Sequence, residues 1–261
     1  MKTSAAILVA ITGVQMCLMT ATAQPTAVDT FNEYANGSSL SGLNGGSGWS
    51  SAWANNGAVG QTVQNGVLTT SGAAGGIADW RYFASPVSIS ASTTYYFRAD
   101  LGINDSSDSS FWADALTDGN GSVIAQLALV HNYVTSYIGG GNQFSGNTIG
   151  YTPNGSADEL LGELQWSGSS LSLSVWVTPA SSPLPTSQAA AGSPIWVQTG
   201  TAPSVANIGG VLLQSFSSPG VTTAANLYFG PTWESVTAVP EPGMLALLGL
   251  GGLLLTLRRS R

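Results

Sequence analysis

Three acidic side chains lie close together in the second half of the chain, at Asp158, Glu159 and Glu163. Glycoside hydrolysis uses two carboxylates that face one sugar ring, and this group is the nearest approach to that chemistry. Glu159 and Glu163 share one side of a strand or one face of a helix, but Gly162 lies between them. An alternating Glu-x-Asp-x-x-Glu pattern is missing. We therefore expect a solvated strand entry here and assign no catalytic residue.

A second group of polar side chains carries the oxygen ligands that Ca²⁺ takes in proteins. Asp118 and Asn120 have the alternate-residue spacing of a calcium loop, but the twelfth position from Asp118 is Leu129 rather than Glu, which excludes an EF-hand. We expect no cofactor, with calcium at Asp118 and Asn120 as the alternative. Ordinary turn chemistry explains the same residues. The group comprises Asn104, Asp105, Asp108, Asp114, Asp118 and Asn120.

His131 is the only histidine of the chain, and Cys17 is the only cysteine. A single imidazole does not make a His-based metal site, because zinc takes three or four protein ligands. No Gly-x-Ser-x-Gly segment occurs, which weakens the case for a serine hydrolase. We expect His131 to be a structural or solvent-facing residue at a strand end.

The charge composition excludes one class of partner. Only 7% of the residues are Asp, Glu, Lys or Arg, against roughly 25% in an average soluble domain. Between the two ends of the chain the only basic residues are Arg81 and Arg98. A nucleic-acid-binding surface needs a cluster of cations, so no nucleic acid is expected as a partner.

The region between the ends, residues 24–238, is typical of one all-β domain of sandwich type. Short apolar runs are separated by Gly, Asn, Ser and Pro, as in sandwiches and barrels. Residues 170–177 and 93–101 alternate with a period of two, which directs one row of side chains into a core. Residues 122–130, 207–216 and 225–229 are further predicted strands. Asn65-Gly66 predicts a tight hairpin within 61–70, and a short helix is expected at 232–236.

Tryptophans are the other residues that suggest a sugar ligand, since sugars stack on exposed indole rings. The chain has eight of them. Trp166, Trp176 and Trp196 lie within strand-like patterns, where burial is the ordinary outcome. The patterns therefore favour core positions for these three.

The first 23 residues have the three parts of a secretory signal peptide. Lys2 supplies the positive charge, residues 5–19 form an apolar run, and Ala21 and Ala23 are small residues at the positions that signal peptidase reads. Cleavage after Ala23 is expected. The exported chain then has no cysteine, which excludes disulfides and thiolate sites.

The last part of the chain, residues 239–261, has the pattern of a segment that enters the membrane and stops there. Pro240-Glu241-Pro242 is followed by the apolar residues 243–257 and then by Arg258, Arg259 and Arg261. As a helix at about 1.5 Å per residue the apolar run reaches about 22 Å, against about 30 Å of hydrocarbon, so it is short for a permanent anchor. The arginines are expected to stay in the cytoplasm and to leave the body outside. An ordinary single-span anchor is the alternative.

This three-part end resembles the PEP-CTERM sorting domain of Gram-negative bacteria. The resemblance rests on Pro240-Glu241-Pro242, the glycine-interrupted apolar stretch and the terminal arginines, in that order. It implies recognition by an exosortase, a membrane-embedded cysteine protease or transpeptidase, which cuts near the Pro-Glu-Pro. Glu241 is then a recognition residue, and the body passes to the surface or the extracellular polymer.

Two further stretches resemble the opening and closing motifs of LamG-like jelly-roll domains, which are related to concanavalin-type lectins. The opening stretch runs through residues 29–34 and 43–53, and the closing stretch through residues 227–236. The resemblance implies a jelly-roll sandwich whose first strand closes against its last.

Three function classes remain open. The first, which we favour, is a non-catalytic surface or matrix protein associated with extracellular polysaccharide. The second is a carbohydrate-binding, lectin-like module, and the third is an exported glycan hydrolase. A hydrolase would need a cleft holding Asp158, Glu159 or Glu163 beside a second carboxylate about 5 to 10 Å away.

Overall fold

The computed structural model describes residues 24–55, 61–71, 77–104, 111–130, 133–139, 149–150, 158–179, 181–216 and 221–238. These residues form two antiparallel sheets packed face to face. The first sheet has the order β13 (Trp196–Thr201), β12 (Ser170–Thr178), β11 (Asp158–Ser167), β6 (Thr94–Asn104), β15 (Val221–Gly230), β4 (Val67–Ser71) and β3 (Thr62–Gln64), with β1 (Ala27–Asp29) also on β15.

The second sheet has the order β10 (Ile149–Gly150), β9 (Tyr133–Ile138), β8 (Val123–Val130), β7 (Phe111–Thr117), β14 (Asn207–Phe216), β5 (Ile77–Ser88) and β2 (Ala54–Asn55). Two short helices, α1 (Gln188–Ala191) and α2 (Trp233–Thr237), lie outside the sheets. This all-β jelly-roll sandwich is the predicted fold class.

The period-two pattern places the predicted rows in the core between the sheets. On β6 the residues Tyr95, Phe97, Ala99 and Leu101 are completely buried, as expected from their alternation. Leu171, Leu173 and Val175 of β12 are buried in the same cluster. Burial of such rows removes apolar surface from water at about 25 cal/mol per Å², which is the main stabilising contribution to a fold without disulfides.

The predicted hairpin joins β3 to β4. Asn65 and Gly66 have φ angles of 53° and 77°, the left-handed values that a two-residue turn of this kind requires. The Gly66 position also lies against Asn32, so a side chain there would overlap the Asn32 amide. The dipeptide therefore sets the register Thr62↔Thr69 between the two strands.

The opening and closing stretches of the body pair directly, which confirms that the first strand closes against the last. Ala27 lies opposite Phe229 and Asp29 opposite Leu227 in the β1–β15 ladder. The closing stretch ends in α2, where Thr232 caps the helix by accepting the Ser235 N–H at 3.2 Å. This helix confirms the expectation of a short helical segment at 232–236.

A buried ion pair ties the opening segment to the second sheet. Asp29 is fully buried, and its Oδ2 accepts hydrogen bonds from Arg81 Nη1 at 2.9 Å, Trp53 Nε1 at 2.8 Å and Tyr34 Oη at 2.8 Å. Arg81 also lies over the Trp49 ring, 4.8 Å from its centre. Because each charge is paired and hydrogen-bonded, the pair is a structural clamp rather than a free reactive group.

Candidate functional site

The acidic residues of β11 lie on both faces of the first sheet. Asp158 falls in the row that faces the core with Leu160, and Glu159 and Glu163 fall in the outer row. The expectation of a solvated strand entry is wrong, because Asp158 is only 1% exposed and Glu163 9%. The outer face of this sheet is itself covered.

A second apolar cluster covers that outer face. Leu161 on β11, Trp176 on β12 and Tyr228 on β15 pack against Trp233 and Val236 of α2. The Trp176 and Trp233 rings meet edge to face, with 5.2 Å between centres. Both indole N–H groups donate to carbonyls of one segment, Trp176 to Gly192 and Trp233 to Pro185, each at 3.0 Å. These bonds hold the segment that carries α1 over the sheet.

The expected burial of the three tryptophans is confirmed for Trp166 and Trp176, whereas Trp196 is only partly buried. Trp166 is 3% exposed and belongs to the core between the sheets. Trp176 is 5% exposed and belongs to the outer cluster. Trp196 packs partly buried against the core and donates its indole N–H to Ser136 at 2.8 Å. Trp166 and Trp176 therefore offer no free ring face for stacking.

A cleft of about 550 Å³ lies between α1 and α2 on this outer face, and we call it the outer cleft. Its volume is within the range of small-molecule sites, roughly 300–1,000 Å³. Strands β6 and β11 form the floor and the helices form the walls. The lining consists of Thr94, Tyr96, Glu163, Gln165, Ser187, Gln188, Ala189, Pro231, Thr232, Trp233 and Glu234.

One hydrogen-bonded chain crosses the outer cleft. Gln188 Nε2 donates a short hydrogen bond to Glu163 Oε2, and Tyr96 Oη donates to Gln188 Oε1 at 3.4 Å. Burial raises the pKa of Glu163, and the bond from Gln188 opposes that shift. The pKa of Tyr96 is raised to about 12 by burial and then by the negative charges of Glu163 and Glu234. The cleft is therefore an acidic environment lined by amides and hydroxyls.

A separate polar group occupies the neighbouring part of the same face. Glu159 lies opposite Asp100 in the β11–β6 ladder, and Asp100 Oδ2 accepts from Asn226 Nδ2 at 2.6 Å. Arg98 Nε lies 3.5 Å from Asp100 Oδ1. The pKa of Glu159 is raised to about 7, chiefly by burial, with Arg98 opposing the shift. We assign this group to structure, because Arg98 also holds α2 through the Val236 carbonyl at 3.0 Å.

Asp118, the first residue of the alternative calcium site, makes hydrogen bonds within its own turn. Its Oδ1 accepts the backbone N–H groups of Asn120 and Ser122, each at 2.8 Å, in the turn between β7 and β8. Asp114 lies on β7 and is fully buried, so it is not gathered with Asp118; burial raises its pKa to about 8. Within the described ranges no group of three or more His, Cys, Asp or Glu side chains could hold a metal ion. Asp105, Asp108 and His131 lie outside the described residues.

The targeting residues also lie outside the described residues. These are Ala21 and Ala23 of the expected signal peptide and the whole of 239–261, with Pro240, Glu241, Pro242, Arg258, Arg259 and Arg261. In the part of the chain that the structure covers, no helix is long and apolar enough to span a bilayer.

Comparison with solved structures finds carbohydrate-recognition and related domains at low identity. The potassium-bound carbohydrate recognition domain of Emp46p is 10% identical with a TM-score of 0.43, over 79% of this chain and 97% of that one. Lectin II from Ulex europaeus is 9% identical with a TM-score of 0.41, over 79% and 99%. The CBM2 module of an evolved Dit from Lactobacillus casei BL23 phage J-1 is 15% identical with a TM-score of 0.44, over 78% and 95%.

Among curated proteins no sequence matches this chain. One family model does match, and it is described as the PEP-CTERM protein-sorting motif; it covers residues 238–261. The match confirms the resemblance of the last residues and begins at the final residue that the structure describes. The chain therefore carries a PEP-CTERM sorting motif at its C-terminus, which indicates export, transient membrane anchoring and exosortase-mediated sorting to the surface.

Proposed function

We propose that the protein is a non-catalytic component of the cell surface or extracellular matrix that associates with extracellular polysaccharide. The observation that carries this proposal is the position of the sorting motif relative to the fold. The last described residue, Ala238, still donates its N–H to the Glu234 carbonyl at 2.9 Å, and the motif begins there. An exosortase that cuts near Pro240 would therefore leave the described strands and α2 together in the released body.

The arrangement of carboxylates favours a binding role over glycan hydrolysis. The lining of the outer cleft includes two carboxylates, Glu163 and Glu234, and a hydrolase would need two that face one sugar ring. However, one oxygen of Glu163 is engaged by Gln188, which in turn is bonded by Tyr96. This hydrogen bond joins Glu163 to α1, which gives the carboxyl a structural contact that requires no catalytic role.

The carbohydrate-binding alternative is supported by the outer cleft, because its amides, hydroxyls and carboxylates are the groups that hydrogen-bond a polyol. We propose that this binding needs no cofactor, and that Asp118 only stabilises the turn between β7 and β8. The calcium alternative predicts instead that removal of divalent ions abolishes binding.

A glycan array tests both points. The purified full chain, held in mild detergent, is applied to bacterial extracellular polysaccharides with and without EDTA. Binding in both conditions supports a cofactor-free association, and binding lost in EDTA supports calcium. If the protein binds no glycan on the array, association with polysaccharide is contradicted.

Gel mass of the protein recovered from the cell surface tests the sorting step. Exosortase cutting near Pro240-Glu241-Pro242 shortens the chain by the apolar run and the arginines. An unshortened C-terminus indicates instead the single-span anchor. The expected N-terminus, Gln24, is checked in the same sample as evidence for signal peptidase cleavage after Ala23.

A further inference from the structure

The outer cleft has an unbalanced charge. Two of its lining residues, Glu163 and Glu234, are acidic, and no Lys or Arg of the described residues lines it. Of the two basic residues that the structure describes, Arg98 lies on this face; it is 3% exposed and is engaged by Asp100, the Val236 carbonyl and the Tyr228 ring. Among the described residues, no positive charge in the lining balances the two carboxylates.

The charge imbalance has an energetic consequence because one of the two carboxylates, Glu163, is buried. Glu163 is 9% exposed, and the neutral amide of Gln188 donates a hydrogen bond to it. A buried carboxylate that keeps only neutral partners is costly, since charges in a protein interior are normally paired with opposite charges. An ammonium group on a ligand would supply that pairing and form a charge-assisted hydrogen bond.

The remaining lining groups indicate what carries the ammonium. Gln165 and Gln188 offer amides, and Thr94, Ser187 and Thr232 offer hydroxyls. Tyr96 on the floor lies edge to face with Trp233 on the wall, with 6.1 Å between ring centres, and these rings give the cleft a small aromatic area. A ring that carries several hydroxyls matches such a lining better than an aliphatic chain does.

We propose that the outer cleft binds glycans that carry free amines, such as partly deacetylated hexosamine polymers. This inference rests on the proposed function and names its site and ligand class. Uronic acid polymers are disfavoured, because the two cleft carboxylates and the formal net charge of −7 repel them. A lysine-rich peptide is the competing cationic ligand.

Calorimetry on the full chain in mild detergent tests the inference with three probes. These are the tetrasaccharide of glucosamine, its fully N-acetylated counterpart, and tetralysine. We expect the free-amine sugar to bind about tenfold or more tightly than the acetylated sugar, and its affinity to fall with salt. Equal affinity for the two sugars, or tighter binding of tetralysine, overturns the inference.

Matched variants locate the site. Glu163→Gln and Glu234→Gln are each expected to weaken glucosamine binding about tenfold, whereas Glu33→Gln, which removes an exposed carboxylate elsewhere, leaves it unchanged. Glu234 is exposed on α2, so we expect Glu234→Gln to fold normally. This variant therefore still tests the site if Glu163→Gln unfolds. Unchanged affinity in Glu234→Gln and in folded Glu163→Gln overturns the site.

The two proposals fail differently. Glycan binding that does not respond to the cleft variants removes the cleft but leaves association with polysaccharide intact. No binding of any glycan removes both.

Discussion

Arg98 donates a hydrogen bond from Nη1 to the carbonyl oxygen of Val236 at 3.0 Å, joining the centre of the first sheet to the last helix of the body. The same guanidinium lies 4.3 Å from the centre of the Tyr228 ring and 3.5 Å from Asp100 Oδ1. Because α2 directly precedes the sorting motif, this side chain, together with the packing of Trp233 and Val236, fixes the end of the sandwich that precedes the tail.

Removal of this guanidinium should loosen the end of the body. Arg98→Ala leaves Asp100 buried without its cation, and such losses cost about 3–5 kcal/mol. We expect that fall in the free energy of unfolding in urea, with faster proteolysis within α2. Adding Asp100→Asn should recover part of the loss in a double-mutant cycle. A cost below about 1 kcal/mol would contradict the clamp.

Stability should fall as pH rises from about 4 towards 8. Burial raises the pKa of Asp79 to about 7 and that of Asp114 to about 8, above the ordinary aspartate value of 3.8. In this window the folded chain holds protons that the unfolded chain has released, so each group lowers the free energy of unfolding by about 1.4 kcal/mol per pH unit. Above its folded pKa each effect levels off.

Asp79→Asn and Asp114→Asn should each flatten that dependence. Urea titrations of the three proteins at pH 5, 6 and 7 measure the slope. Glu159, whose pKa of about 7 acts in the same direction, is common to all three and cancels in the comparison. A variant whose slope equals that of the parent would show that the substituted carboxyl is ionised throughout.

Gly162 is required because a side chain at this position would overlap the Phe97 ring on the neighbouring strand. Gly162→Ala should destabilise the fold by about 1–3 kcal/mol, the usual cost of overpacking a core. Phe97→Leu costs stability alone but makes room, so the double variant should be more stable than the two losses added together. Strict additivity in thermal unfolding would argue against this contact.

Asp118 should act through its turn. Asp118→Asn keeps an oxygen that can accept the two backbone N–H groups, so we expect a change within about 0.5 kcal/mol. Asp118→Ala leaves both donors without the side chain and should cost about 1 kcal/mol. Melting curves with EDTA and with calcium distinguish the turn role from a calcium site. If Asp118 bound calcium, the stability lost in Asp118→Ala would depend on the ion.

The alternation of residues predicted some strands and missed others for a specific reason. β6 and β12 were predictable because their core rows are apolar throughout. β5 was not among the predicted strands, since Asp79 and Arg81 occupy its buried row. Arg81 can be buried only because Asp29, far away in sequence, supplies its counter-charge. No local pattern contains that partner.

At the candidate site, too, some residues could be predicted from the sequence while their partners could not. The sequence singled out Asp158, Glu159 and Glu163 as one group but predicted a solvated strand entry for it. Its partner Gln188 and the second carboxylate, Glu234, come from helices that the sequence does not connect to β11.

The sequence alone determined the C-terminal sorting motif, the all-β class, the hairpin at Asn65-Gly66 and the rows that face the core, because each depends on local order or on a period of two. Tertiary structure alone decided that the outer face of the first sheet is covered, that Arg98 holds α2, and that Glu163 and Glu234 share one cleft. Those outcomes depend on contacts between segments distant in sequence, and the burial that changes the pKa of a carboxyl exists only after such contacts form.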